Sequence, residues 1–282
     1  MERHPFGSIK RMVAAIGQGT WYIETVERRS AVATLRRGLD LGMTHIDTAE
    51  MYGSGAAEKV VAEAIIGRRG EVFLVSKVLP QHASRDGTVA ACENSLARLR
   101  TEWLDCYLLH WRGSHPLEET IAGFERLQRD GKIRSWGVSN FDVSDLDEVL
   151  SIAGEGRFAC NQVLYHLKER TIEHGVIPWC EKHGVAVVGY SPFGHSGSFP
   201  GPKTAAGRVL HEIAAAHDAT PRQVALSFLV RRPALFAIPK ASSSAHATEN
   251  AGAGDLKLSA PELRLIDEAF PLDSRGRRLP IG

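Results

Sequence analysis

Short apolar runs, rich in β-branched residues, alternate with longer stretches at helical spacing along almost the whole chain. Such runs are typical of buried strands, and a period of 3.6 residues is typical of amphipathic helices. The apolar runs predict strands near residues 13–17, 44–48, 72–77, 105–110, 135–139, 159–163, 185–190 and 235–239. The periodic stretches predict helices near 29–41, 56–67, 87–100, 117–130, 143–152, 173–183, 205–217 and 244–252. Two more helices are predicted, near 221–231 before the last strand and near 261–270 after it.

Eight strand–helix units with nearly continuous apolar strands predict an α/β fold, a closed parallel (β/α)8 TIM barrel with an additional C-terminal helix. A doubly wound open sheet is the structural alternative. No shift in composition and no long linker divides the chain, so residues 1–282 are predicted to form a single domain. The Gly/Pro/Ser-rich stretch at 194–203 predicts a long loop after the seventh strand. That loop is either a floppy surface segment or a flap over a ligand.

Helix ends carry specific signals. Thr220 followed by Pro221 is typical of an N-cap with proline at the first helical position. Ser259 with Glu262 three residues later fits a capping box. Four glycines follow helical stretches, as expected at C-terminal caps: Gly42, Gly67, Gly131 and Gly184.

Charge and cysteine content exclude several classes of function. Lys and Arg number 34 and Asp and Glu 33, a net charge of +1 that argues against a nucleic-acid partner. No apolar stretch approaches the ~18 residues of a spanning helix, and the N-terminus lacks a signal-peptide pattern, so no membrane association is expected. The four cysteines are widely spaced, which indicates reduced thiols in a cytoplasmic protein.

Four chemically active residues fall at or just past the ends of three predicted strands: Asp47, Tyr52, Lys77 and His110. Barrel active sites form at the C-terminal ends of strands. A tyrosine with a pKa of about 10 is a poor acid near neutral pH, but an adjacent ammonium lowers that pKa. Asp47 would balance the charge of Lys77, and His110 would align a substrate carbonyl. The alternative is a loop tyrosine, a rim lysine and a satisfied core histidine.

Other motifs are weaker. The GxGxxG-like segment at 53–58 lacks the third glycine and is interpreted as a helix start that needs small residues. In HEIAAAH (211–217) the histidines are six residues apart and face different sides of a helix, so no metal site is expected. Tyr190 either stacks on a flat ligand ring or is a rim aromatic. Lys240 either binds a phosphate or is solvated.

These motifs together strongly resemble the aldo/keto reductase superfamily, nearly end to end. The specific segments are GQGTW (17–21), DTAEMYG (47–53), LLHW (108–111), GKIRSWGVSNF (131–141), NQVLYH (161–166) and GYSP (189–192). The chain is most similar to bacterial members that reduce methylglyoxal and other small aldehydes. The resemblance implies an oxidoreductase with a (β/α)8 barrel that uses NADPH to reduce a small-molecule carbonyl to an alcohol, with hydride from the nicotinamide C4.

The resemblance also implies roles for individual residues. Tyr52 would donate the proton, and Lys77 and Asp47 would adjust the acidity of Tyr52. His110 would orient the carbonyl. The substrate pocket would be lined by Trp21 and Trp111 together with Tyr52 and His110. The nicotinamide would be held by Ser139, Asn140 and Gln162 and stacked on Tyr190, and the pyrophosphate would lie along Ser191, Pro192 and Phe193. Lys240 and Ser242 would meet the 2′-phosphate, with Glu249 and Asn250 near the adenine. The remaining implied cofactor contacts are Gly19, Thr20, Trp21, Asp47, Ile238, Pro239, Ala241 and His246.

Two departures from the family pattern affect these expectations. Ala241 stands where Ser or Thr is common, and His246 where an Arg often binds phosphate. We therefore predict a preference for NADPH that is less strict than usual, with NADH used more weakly. In the family a longer tail helps to cap the substrate pocket, whereas only twelve residues follow Phe270 here. The resemblance therefore implies an open and weakly selective site. A monomer is expected, with a weak homo-oligomer as the alternative.

Two other functions stay open at this point. The same barrel could serve as a cofactor-sensing regulatory subunit, which would keep the nucleotide motifs without efficient catalysis. It could also be a cofactor-free lyase or isomerase.

Overall fold

The computed structural model describes residues 1–194, 198–272 and 279–280, and within them eight parallel strands form one sheet. A hairpin of β1 (Arg3–Pro5) and β2 (Met12–Ala14) precedes this sheet. In chain order the sheet strands are β3 (Gln18–Gly19), β4 (His45–Asp47), β5 (Phe73–Val78), β6 (Cys106–Leu109), β7 (Trp136–Ser139), β8 (Cys160–Leu164), β9 (Ala186–Tyr190) and β10 (Leu235–Ala237). Parallel bridges from Ile16 to Ala237 and from Gly19 to Lys240 join the first segment to the last. The predicted (β/α)8 barrel is confirmed, and the open sheet is not adopted.

The helices surround the sheet and bury their apolar faces against it. They are α1 (Arg28–Asp40), α2 (Ala56–Ala64), α3 (Arg85–Leu99), α4 (Leu117–Arg129), α5 (Val143–Ala153), α6 (Val176–Lys182), α7 (Ala205–Ala216), α8 (Pro221–Leu229), α9 (Ser244–Gly252) and α10 (Ala260–Ala269). The helices α8 and α10 are the two additional ones that the pattern predicts. None of the described helices is long and apolar enough to cross a membrane.

The predicted first strand, 13–17, is the main error of the sequence-based assignment. Its beginning belongs to β2 (Met12–Ala14), which pairs antiparallel with β1 (Arg3–Pro5) in a hairpin outside the barrel sheet. The run is apolar because all five residues 13–17 are buried, although Met12 and both ends of β1 are exposed. Apolarity alone cannot distinguish a covering strand from a barrel strand.

The hairpin places one aromatic side chain at the base of the barrel. Phe6 is fully buried, and its ring centre lies 4.7 Å from that of Phe73 and 5.0 Å from that of Phe236. Burial of a phenylalanine side chain contributes roughly 1.5–3 kcal/mol. This packing closes the end of the barrel opposite the strand C-termini, so a ligand has access at the other end.

The predicted N-terminal caps of α8 and α10 are confirmed, and so are three of the four C-terminal glycines; Gly67 lies two residues past Ile65, the C-cap of α2, and is not its C′ residue. Capping boxes begin α8 at Thr220 with Gln223 and α10 at Ser259 with Glu262. Gly42 follows α1 with φ of 87°, a backbone conformation that glycine adopts without steric cost. Residues 195–197 of the predicted long loop, and 273–278 and 281–282 of the tail, lie outside the described residues, so the proposals for that loop and for the short tail stay predictions.

His45 on β4 is an unusual member of the barrel interior. It is fully buried, with its ring centre 5.8 Å from that of Phe6 and 5.4 Å from that of Phe73. Neither ring nitrogen has a hydrogen-bond partner among the described residues. Burial, with a smaller contribution from Lys77, lowers the pKa of His45 to about 3.

The pKa of His45 generates a prediction about acid stability. Because its folded-state pKa lies below the unfolded value, the unfolded chain binds the extra proton, and stability falls as pH drops through about 6.5. This one group should cost about 2 kcal/mol of unfolding free energy between pH 7 and pH 5. Urea unfolding of His45→Met at both pH values should show a pH-dependent loss smaller by that amount. An unchanged pH dependence would contradict the account.

Candidate active site

A cleft of about 920 Å³ opens at the C-terminal ends of the strands. Parallel strands end on the same side of a barrel, so polar residues at their ends converge there. Asp47, Ser139 and Tyr190 are the last residues of β4, β7 and β9, and His110 and Asn140 directly follow β6 and β7. All five line the cleft. The expectation that strand-end residues meet at one site is confirmed by the geometry.

The ammonium of Lys77 connects three groups at the floor of the cleft. Its Nζ lies 2.6 Å from Oδ1 of Asp47 and donates hydrogen bonds to the carbonyl oxygen of Thr48 at 2.9 Å and to the hydroxyl of Tyr52 at 3.1 Å. Lys77 and Asp47 are both almost fully buried. A buried ion pair persists when further hydrogen bonds satisfy it, and here each partner has them. Lys77 does not line the cleft itself and reaches it through Tyr52.

Asp47 is held from two more directions. Gln162 donates a hydrogen bond from Nε2 to Oδ2 of Asp47 at 2.7 Å, and the hydroxyl of Thr20 donates to its backbone carbonyl at 2.9 Å. Both carboxylate oxygens therefore accept a hydrogen bond from a fixed donor, which fixes the side-chain orientation. The fixed carboxylate of Asp47 in turn orients the ammonium of Lys77, which hydrogen-bonds to the hydroxyl of Tyr52.

Tyr52, whose hydroxyl is directed at Lys77, is carried by a short turn with an unusual backbone. Residues Tyr52–Gly55 form a 3-10 turn between β4 and α2. The next three residues, Gly53, Ser54 and Gly55, have φ values of 54°, 51° and 85°. Left-handed backbone is easy for glycine and costs other residues roughly 1–2 kcal/mol. The GxGxxG-like segment is thus a turn that starts α2, as expected, and Glu58 in it is buried.

The electrostatics correct one expectation about Tyr52. Burial raises the pKa of Tyr52 above its ordinary value of 10, and this effect exceeds the lowering by Lys77. Lys77 does lower this pKa, as predicted, but the lost hydration of the buried phenolate has the larger effect, so the net shift is upward. Tyr52 is therefore a neutral phenol at physiological pH.

Lys77 and His110 are in defined protonation states. Burial alone would lower the pKa of Lys77, but Asp47 and Tyr52 outweigh it, and the pKa is raised, so the side chain is an ammonium. Burial raises the pKa of Asp47, against lowering by Lys77 and Gln162. Burial and the charge of Lys77 lower the pKa of His110 to about 2, so its imidazole is neutral at physiological pH.

His110 and Tyr52 form a pair of neutral donors beside the cleft. Their ring centres are 5.8 Å apart in an edge-on arrangement. Nδ1 of His110 has no hydrogen-bond partner among the described residues. Two neutral groups that can both donate to one oxygen are suited to polarise and protonate a carbonyl. Trp21 and Trp111 flank them, with ring centres 6.4 Å from Tyr52 and 4.8 Å from His110 respectively.

A second group of polar residues extends along the cleft. Asn140 donates hydrogen bonds from Nδ2 to the carbonyl oxygen of His110 at 3.0 Å and to the hydroxyl of Ser139 at 3.2 Å, and its Oδ1 accepts one from the hydroxyl of Tyr190 at 2.9 Å. At the far end the ammonium of Lys240 donates to the hydroxyl of Ser242 at 3.0 Å. The cleft thus runs from the Tyr52 end to a cation.

The predicted site residues divide by whether they line the cleft. The predicted residues that line it are Gly19, Thr20, Trp21, Asp47, Tyr52, His110, Trp111, Ser139, Asn140, Gln162, Tyr190, Ser191, Ile238, Lys240 and Ser242. Seven predicted cofactor contacts do not line it: Pro192, Phe193, Pro239, Ala241, His246, Glu249 and Asn250. Asn250 is buried in α9, whereas His246 is exposed in the first turn of that helix.

Three lining residues were not predicted: Tyr22, Met51 and Gly194. Tyr22 is 56% exposed and its ring stacks on that of Trp21 at 4.9 Å. Its position directly after GQGTW, and that of Met51 directly before Tyr52, are signals that could have identified both.

The described residues contain no group of three His, Cys, Asp or Glu side chains that could hold a metal ion. His217 of the HEIAAAH segment instead lies 2.7 Å from Glu262 on α10. His217 thus has a structural partner.

Comparisons with known proteins agree with this geometry. Residues 15–270 match the model of the aldo/keto reductase family. The chain is 47% identical to "Methylglyoxal reductase YeaE" of Escherichia coli (strain K12), over 91% of each protein. It is 32% identical to "Glyoxal reductase" of Bacillus subtilis (strain 168), over 89% of this chain and 87% of that protein. A crystal structure of an aldo-keto reductase from Klebsiella pneumoniae in complex with NADPH superimposes over 100% of both chains with a TM-score of 0.94 and 44% identity. The chain belongs to the aldo/keto reductase family.

Proposed function

We propose that this protein reduces small aldehydes and ketones to alcohols with NADPH, with Tyr52 as the proton donor. The observation that carries the assignment of Tyr52 is the hydrogen bond from Lys77 to its hydroxyl, at the floor of the cleft and beside neutral His110. Family membership makes the protein an NAD(P)H-dependent carbonyl oxidoreductase. The residue roles are our proposal.

The arrangement of the two neutral donors suggests how they act. The carbonyl oxygen of a substrate between Tyr52 and His110 would accept hydrogen bonds from both. As negative charge develops on that oxygen, the phenol of Tyr52 transfers its proton. The ammonium of Lys77, held by Asp47, stabilises the phenolate that is left. General acid catalysis of this kind contributes typically 10²–10⁴-fold.

The residues along the cleft fit a nicotinamide cofactor. NADPH, when bound, supplies a hydride from the nicotinamide C4. Ser139, Asn140 and Gln162 provide hydroxyl and amide groups for the carboxamide, and Tyr190 provides a ring face. Lys240 offers a cation for a phosphate at the other end. The 44% identical Klebsiella pneumoniae structure contains NADPH, which supports the assignment.

The substrate end favours small uncharged carbonyl compounds. Among the described residues that line the cleft, the charged ones are Asp47, which is paired with Lys77, and Lys240, which lies at the cofactor end. The walls near Tyr52 are aromatic, from Trp21 and Trp111. Among the described lining residues, no unpaired cation is therefore available near Tyr52 for a carboxylate. Similarity to a methylglyoxal reductase supports the same substrate class.

A cofactor-sensing regulatory subunit would keep the nucleotide contacts but would not need Lys77 bonded to Tyr52 beside a neutral His110. That arrangement favours the enzyme.

A cofactor-free lyase would leave NADPH fluorescence unchanged when the protein and NADPH are mixed. We further propose a cytoplasmic monomer formed by one domain. The four free, buried cysteines are compatible with a reducing compartment.

Replacement of Tyr52 tests the proton donor. Tyr52→Phe should lower the turnover of methylglyoxal by at least about 100-fold, because the ring remains and the transferable proton is lost. The dissociation constant of NADPH, measured by fluorescence titration, should stay within about twofold. Trp21→Phe is a control that changes the cleft wall and keeps the donor. Tyr52→Phe with near-normal turnover would refute the assignment.

Replacement of His246 tests the cofactor preference. The protein should prefer NADPH, and His246→Arg should raise its NADPH-over-NADH ratio of kcat/KM by about tenfold, because Arg binds phosphate through two hydrogen bonds. His211→Arg is the matched control, since it adds the same charge on an exposed helix position outside the cleft. Higher kcat/KM with NADH than with NADPH in the unmodified protein would contradict the prediction.

A further inference from the structure

The turn that carries Tyr52 needs support from outside the cleft. Three successive residues after Tyr52 have left-handed backbone, and one of them, Ser54, is not glycine. Such a turn stores strain and persists when its surroundings hold it. Within the turn, backbone hydrogen bonds run from Tyr52 N to Ala49 O at 3.1 Å and from Ser54 N to Met51 O at 3.1 Å. These local bonds do not attach residues 52–55 to the strand that carries Lys77. Just before the turn, Glu50 is attached there, since its N donates to Lys77 O at 3.5 Å and its Oε1 accepts from Leu79 N at 2.7 Å.

Glu58 makes a second attachment, on the helix-facing side of the strand. It lies in the first turn of α2, directly after the Tyr52 turn, and its carboxylate is fully buried. Oε1 of Glu58 accepts a hydrogen bond from the hydroxyl of Ser76 at 2.6 Å. Ser76 is the residue before Lys77 on β5. Because side chains alternate along a strand, Ser76 faces the helices while Lys77 faces the barrel interior.

Arg98 on α3 completes the arrangement. Its Nε donates a hydrogen bond to Oε2 of Glu58, and its Nη2 donates to the hydroxyl of Ser95 at 3.0 Å. The Arg98 side chain also packs on the Tyr52 turn, since a Cβ at Gly55 would lie 2.5 Å from its Cδ. The buried charge of Glu58 is therefore paired, and the turn, α2, β5 and α3 meet at one carboxylate.

We propose that Ser76, Glu58 and Arg98 are positioning residues for the reaction, and that they set the distance between Tyr52 and Lys77. This inference rests on the proposed role of Tyr52. The Tyr52 hydroxyl and the Lys77 ammonium are 3.1 Å apart below the floor of the cleft. The Ser76–Glu58 hydrogen bond joins the segments that carry them on the other side of the sheet. A loss of this bond lets the turn move relative to Lys77. Misplacement by about 1 Å can cost on the order of 100-fold in rate.

Ser76→Ala tests the proposal, because it removes the hydrogen bond and leaves the strand intact. The single-turnover rate of NADPH oxidation with methylglyoxal should fall about tenfold, while the dissociation constant of NADPH stays within about twofold. Ser135→Ala is the matched control: its hydroxyl is also buried and donates a 2.6 Å hydrogen bond, to Asp105 O, just before β7 and outside the cleft. Ser135→Ala should leave the rate within about twofold.

A double-mutant cycle separates positioning from general destabilisation. In a Tyr52→Phe background Ser76→Ala should cost less than about twofold, because the group that it positions is absent. An equal loss in both backgrounds, or an unchanged rate in Ser76→Ala, would overturn the inference. If Tyr52→Phe alone keeps its activity, the proposed function fails instead. Should Ser76→Ala not fold, Glu58→Gln replaces it, with the same expected loss and the same cycle.

Discussion

The buried ion pair of Lys77 and Asp47 is the interaction on which the rest of the site depends. Its partners come from neighbouring strands, and each is satisfied by further hydrogen bonds: Thr48 and Tyr52 for the ammonium, Gln162 for the carboxylate. A lone charge in this place would cost several kcal/mol, so both groups must be present together. The pair places a fixed positive charge next to the phenol of Tyr52, which burial keeps protonated.

The barrel makes this arrangement possible because it brings the ends of distant segments to one place. Gln162 is more than a hundred residues from Asp47 in sequence and 2.7 Å from it in space. The hairpin and Phe6 close the opposite end, so the cleft has access at the strand C-termini. The cleft is lined by neutral donors near Tyr52 and has the ammonium of Lys240, which donates to the hydroxyl of Ser242, at the other end. This polarity matches a carbonyl at one end and a phosphate at the other.

Much of the fold and site followed from the sequence, for physical reasons that particular residues show. Strand-end polar residues such as His110 and Asn140 were identifiable because packing does not explain them. The first strand was misplaced because the hairpin residue Val13 is as buried as a barrel residue. The raised pKa of Tyr52 could not be predicted, because the balance between burial and Lys77 depends on three-dimensional solvent exclusion. That residues 1–282 form one domain stays a prediction.

The most direct test of the central claim is whether proton transfer from Tyr52 accompanies hydride transfer. Single-turnover NADPH oxidation should be measured in H₂O and D₂O, each with NADPH and with NADPH deuterated at the transferred position. The account predicts that D₂O and deuterated NADPH slow the same step, and that the slowing by D₂O disappears in Tyr52→Phe. A hydride isotope effect with no solvent effect in the unmodified protein would contradict it.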